Sequence, residues 1–171
     1  NATMRQYDFM LNGLREAEKS LRPLHIPFFL KAGAPEEEGP RFVTELGAGA
    51  LVADFDPLRS KQEWKKGVTD RLSIPLYEVD AHNIVPCWVA SPKQEVGART
   101  LRPKIHRLLP DCMEEFPRLQ KHPFQSQGKP APVDWDAAIR SLRVAAVPPV
   151  TWIKPGSKGG LEALHLFVQN K

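Results

Sequence analysis

Cysteine is almost absent from this sequence, with Cys87 and Cys112 the only two among 171 residues. Two thiols so widely spaced supply neither a zinc cluster nor the disulfide framework on which small secreted domains depend. Long apolar runs are missing as well, and nothing approaches the ~20 residues that a membrane-crossing helix needs. No basic-then-apolar leader opens the sequence. Compositional extremes are also lacking: hydrophobic residues make up 42% and charged residues 26%, which excludes disorder and fibrous repeats. A net charge of +4 and a pI near 9.2 are compatible with a polyanionic partner, but many metabolic enzymes are equally basic.

What is present is an alternation of helix and strand signals. Tyr7, Met10, Leu11, Leu14, Ala17 and Leu21 recur in steps of three and four, the pattern of one buried helical face. IPFFLKAG, residues 26–33, has the length and aromatic content of a buried strand. Residues 36–46 read as a helix with three acidic residues in its first turn and Gly47 beyond its end. A strand over 50–55, a helix over 60–72 and a strand over 75–79 complete three rounds. The expected fold is α/β, a doubly wound and mostly parallel sheet over residues 1–105. After Pro86 frequent prolines interrupt every pattern, so residues 106–133 read as a linker. Two later helices are expected, over 135–142 behind an Asp134 cap and over 159–169 behind Ser157, leading toward a further helical domain.

Several motifs hint at chemistry and have plainer readings. Gly47-Ala48-Gly49 resembles part of a dinucleotide fingerprint, but it closes a helix instead of opening one, so a helix stop and turn is expected. Residues 155–160, PGSKGG, lack the phosphate-loop spacing and any strand leading in. Asp80, His82 and Ser91 would suit a hydrolytic triad, yet nothing like a nucleophile elbow surrounds Ser91. Lys93, Arg99, Arg102, Lys104 and Arg107 form the densest basic stretch, fit for phosphates or for a neighbouring domain, although Pro103 argues against one continuous helix there. Trp64, Trp88, Trp135 and Trp152 are scattered, which favours packing over an electron-transfer chain. Ligands of open parallel sheets sit beyond the carboxyl ends of the strands, which here singles out Lys31, Gly33, Asp54, Phe55, Asp80 and His82.

Three blocks carry a family resemblance: ATMRQYDFMLNGL at the start, LVADFDPLR at residues 51–59, and VDAHNIVPCWVASPKQEVGARTLRPKI at 79–105. In that order they resemble class II cyclobutane pyrimidine dimer photolyases. A weaker fourth likeness joins residues 132–135 to 152–160. The resemblance implies a Rossmann-like amino-terminal domain, followed in the intact protein by a helical domain that holds FAD. There, light-excited reduced flavin splits the dimer of a nucleotide flipped out of UV-damaged DNA. It implies no catalytic residue in this chain, which would begin after the domain's first strand and end before the flavin motifs, and no repair by the chain alone. A deazaflavin-type antenna would sit against the strand-end residues named above. Lys93, Arg99, Arg102 and Lys104 would contact DNA or the carboxyl-terminal FAD domain. The intact protein would be a monomer, off the membrane and intracellular, nuclear if eukaryotic and otherwise cytoplasmic. Three positions depart from the family pattern: Val96 where tyrosine is usual, Asp56 where serine is typical, and Pro103 after ART. A cryptochrome-like photoreceptor without repair, and a stand-alone nucleotide-binding module, are the competing expectations.

Overall fold

The computed structural model describes residues 2–124 and 130–170. In chain order its elements are α1 (Met4–Leu21), α2 (Pro35–Leu46), β1 (Leu51–Asp54), α3 (Arg59–Thr69), β2 (Leu76–Val79), α4 (Cys87–Ala90), α5 (Ala98–Cys112), α6 (Trp135–Ser141) and α7 (Gly156–Gln169). They fall into two compact units, one of Asn1–Ala32 with Leu119–Lys171, the other of Gly33–Arg118. Among the described residues no helix is long and apolar enough to cross a membrane.

The Gly33–Arg118 unit is α/β. β1 and β2 pair in parallel, Leu51 with Leu76 through Asp54 with Val79, and α3 makes the crossover that a parallel pair requires. Backbone bonds from Leu51 N–H to the Pro75 carbonyl (3.0 Å) and from Phe55 N–H to the Val79 carbonyl (2.8 Å) extend the ladder at both ends. α2 lies against α3 with Val43 and Val68 buried. The two helices come close because Gly39 and Gly67 carry no side chain: a Cβ on Gly67 would stand 2.8 Å from Cβ of Glu36. Gly47 ends α2 in the left-handed region, φ 60°, with its N–H on the Thr44 carbonyl, so the helix-stop reading of Gly47-Ala48-Gly49 holds. An ion pair between Lys65 and Glu78 ties α3 to β2.

The other unit is helical. α1 packs against α6 and α7, with Leu11 buried. Trp135 anchors this packing: its ring stacks on Phe28 (centroids 6.1 Å apart), lies beneath the Arg15 guanidinium (5.4 Å), and its indole N–H donates to Glu18 Oε2 (3.2 Å). Asp134 caps α6 by accepting the Ala137 N–H at 2.8 Å, as its place before the helix predicts. At α7 the contact is backbone-close. A Cβ on Gly13 would meet Gly156 N at 3.5 Å, and the Glu16 carboxylate accepts the Lys158 N–H at 3.0 Å.

Three local expectations need correction. Residues 26–33 form no strand; Pro27 has no N–H to give a ladder, and Phe28 is held by stacking on Trp135. The sheet among the described residues therefore has two strands, not three. From Arg99 to Arg107 the basic stretch does form one continuous helix, α5, which passes through both Pro103 and Pro110, while Lys93 lies before it. Each ring removes one ladder bond, and the helix persists because Leu101, Ile105 and Leu108 shelter one face while Lys104 is anchored from it. Finally, PGSKGG is no loose lead-in: α7 begins at Gly156.

Candidate functional site

The strand-end residues fall in both units. Lys31 belongs to the helical unit, where it lines an open groove of about 570 Å³ with Phe29, Leu30 and residues 130–134. Gly33 opens the α/β unit at φ 147°, and any side chain there would collide with Glu38, since its Cβ would fall 2.6 Å from Glu38 Cγ. Asp54, Phe55, Asp80 and His82 do gather at the carboxyl ends of β1 and β2, as the parallel register demands.

Asp80 dominates this end. It is only 7% exposed, and its carboxylate is filled by its own loop. Oδ1 accepts the N–H groups of His82 (3.3 Å) and Asn83 (3.1 Å). Oδ2 accepts the N–H of Cys87 at 3.0 Å, and the Asn83 amide reaches both oxygens. Asp80 thus caps α4 from seven residues away. Burial opposes its ionisation, but the Cys87 N–H, the Asn83 amide and the remaining donors outweigh it and hold the carboxyl down at about 2. The same arrangement disarms Cys87, whose thiol is raised by burial and by the adjacent Asp80 charge. A thiol held neutral is a poor nucleophile.

α4 then lays Trp88 edge-on to Phe55, centroids 5.4 Å apart and planes at 87°, while the Lys65 ammonium lies 5.7 Å from the Phe55 ring on its own account. Phe55 is therefore a packing residue. Asp54 and the His82 side chain are exposed.

A second polar lock follows. The Ser91 hydroxyl donates to Glu95 Oε1 (2.7 Å), and Lys104 from α5 donates to Ser91 Oγ (3.1 Å) and to Glu95. Lys104 foremost, then the Ser91 and Thr100 hydroxyls, hold the Glu95 carboxyl at about 2. Ser91 is bound to Glu95 and Lys104, and Asp80 takes His82 through its backbone, so the triad of Asp80, His82 and Ser91 is not assembled. Among the described residues no group of three His, Cys, Asp or Glu side chains could hold a metal ion.

Lys93, Arg99 and Arg102 are exposed, whereas Lys104 is committed to Glu95. Sequence reasoning passed over Asn83 and Glu95, although the Asp-x-x-Asn spacing ahead of a proline-led helix is a readable capping signal. The departures from the family pattern also find places. Asp56 accepts the Leu58 N–H at 2.9 Å in a turn that serine could close equally well, and Val96 is fully exposed before α5.

Comparison with known proteins bears on this arrangement. Residues 1–123 match the family described as DNA photolyase. The deoxyribodipyrimidine photo-lyase of Potorous tridactylus is 47% identical over 173 residues, which cover 99% of this chain and 32% of that protein. The Arabidopsis thaliana protein of the same name is 45% identical, over 96% of this chain and 34% of its own length. For the Oryza sativa protein, again so named, identity is 40% with the same coverage of 96% and 34%. The chain spans about a third of the length of these relatives.

Proposed function

The chain belongs to the DNA photolyase family, and from that premise we propose that the intact protein uses light to split cyclobutane pyrimidine dimers in DNA, this chain supplying scaffold and not chemistry. One observation carries the division of labour. The run most specific to the family, residues 79–105, folds into two closed polar locks in which Asp80 is committed to backbone N–H groups and Asn83, and Glu95 to Lys104 and Ser91. The name shared by the relatives speaks for repair over a photoreceptor.

FAD belongs, in this reading, to a carboxyl-terminal helical domain, where it supplies the light-excited electron. Asp80 and Glu95 are spent on backbone N–H groups and on Lys104, so neither is free to hold it. An antenna pigment of the deazaflavin class would meet Asp54 and His82, the two strand-end groups left facing solvent, with Gly33 shaping the approach to α2; Phe55 and Asp80 support that surface from beneath. Lys31, which belongs to the same reading, lies in the other unit. DNA is the partner, and the intact protein works as a monomer in this reading.

The test is dimer content in UV-irradiated DNA after blue light. The full-length protein removes dimers under light and not in the dark, and residues 1–171 with added flavin remove none. Repair by residues 1–171, or none by the flavin-loaded full-length protein, overturns the reading. For the antenna, quenching of deazaflavin fluorescence on titration with the intact protein is expected, and weakened by Asp54→Ala with His82→Ala.

A further inference from the structure

The outer face of α5 carries arginines that no acidic group among the described residues answers. Arg99, Arg102, Pro103, His106 and Pro110 are exposed along it, while Leu101, Lys104, Ile105 and Leu108 are sheltered. Steps of three and four place Arg99, Arg102 and His106 in one row, with successive spacings of about 4.5 Å and about 6 Å along the axis at the α-helical rise. Lys104 is the basic group of α5 turned inward, held by Glu95 and Ser91. Arg99 and Arg102 form no ion pair among the described residues. Arg107 is exposed as well, next to His106 and outside the row of Arg99 and Arg102. The basic run therefore divides by chemistry: the Lys104 ammonium is structural, and the Arg99 and Arg102 guanidinium groups, with the His106 ring in the same row, are exposed.

Such a row fits phosphates better than it fits a protein. Protein interfaces draw affinity from buried aromatic or aliphatic anchors, and the apolar residues that α5 exposes are only Ala98, Pro103 and Pro110. Guanidinium groups present planar, paired donors matched to phosphate oxygens, and on a rigid helix less freedom is lost when they bind. We propose that Arg99 and Arg102 on the outer face of α5 bind the phosphate backbone of undamaged duplex DNA. The strip adds affinity independent of the lesion and serves to hold the protein on duplex while it searches. It rests on the reading that the intact protein works on DNA.

The test uses the intact protein and an undamaged duplex oligonucleotide, in the dark, by fluorescence anisotropy over a salt series. Each neutralised phosphate contributes about 0.9 to the slope of log affinity against log salt. The R99Q/R102Q protein should therefore lose about 1.8 from that slope, R99K/R102K should keep it, and Lys104→Gln should leave it unchanged while lowering the melting temperature. An unaltered slope in a folded R99Q/R102Q protein overturns the proposal. So does a lost flavin content with unaltered slope, which would make this face a contact within the protein. A second measurement needs no variant: duplex DNA at low salt should protect Arg99 and Arg102 of the wild type from phenylglyoxal, and modification at the free-protein rate overturns the proposal. Light-driven dimer loss by the wild type is read separately. If that fails while the slope change appears, the repair reading falls and the phosphate strip stands.

Discussion

The two units of this chain are held by different forces. In the α/β unit, order beyond the sheet comes from carboxylates: Asp80 gathers three backbone N–H groups of its own loop, and Glu95 gathers Lys104 and Ser91. In the helical unit, order comes from close approach, with Gly13 and Gly156 backbone to backbone and Trp135 filling the space between α1, α6 and residue 28. Polar locks are directional and sensitive to charge. Close-packed contacts are sensitive to volume and indifferent to pH.

Breaking the comparison begins with Asp80. Asp80→Ala leaves the part-buried hydrogen bonds from the N–H groups of His82, Asn83 and Cys87 without their acceptor, so the melting temperature of the intact protein should fall by on the order of 5 °C or more. Asp80→Asn, which keeps one acceptor oxygen, should fall less. In the helical unit the corresponding break is Gly159→Ala, whose Cβ would stand 2.5 Å from the Lys154 carbonyl oxygen. Overpacking of that kind costs about 1–3 kcal/mol, readable as a shifted denaturation midpoint. Trp135→Phe should cost about 1 kcal/mol by removing the bond to Glu18, with faster hydrogen exchange in α6.

Acid sharpens the contrast. Asp80 and Glu95 are both held at about 2, below ordinary values of 3.8 and 4.5. Their contribution is therefore complete above those ordinary values and is lost as pH falls toward about 2. Exchange protection in residues 80–105 should decline across that window before protection in α1 does, and Asp80→Asn should flatten the decline. The smallest effect belongs to Lys154→Ala. Its partner Glu162 is solvent-exposed, so the pair is screened and no measurable change in melting is expected.

Much of this was legible locally. The three- and four-residue spacing of Tyr7 to Leu21 is α1, Gly47 is a left-handed helix stop, and Asp134 is a helix cap. What escaped depends on partners far along the chain. Whether residues 26–33 become a strand is decided by a neighbouring strand and by Trp135, more than a hundred positions away, not by their own apolar content. α5 survives two prolines because a sheltered face and Lys104 compensate, and neither follows from proline's local cost. At the site, Asp80 and His82 were visible as strand-exit polar groups. Their division into a loop cap and an exposed ring was not, because the Cys87 N–H lies seven residues on and Glu95 meets Lys104 across nine.

The Glu16 carboxylate at the first turn of α7 has one more consequence. A glycine-rich helix start attracts anions, and here the anion is already tethered: Glu16 Oε1 receives the Lys158 N–H, and its other oxygen lies where a side chain on Gly156 would project. A tethered ligand acts at an effective concentration on the order of millimolar or higher. Any free phosphate must displace it, so nucleotides at micromolar levels should find this turn closed, and the sequence PGSKGG works as an internal receptor whose ligand is the chain's own first helix.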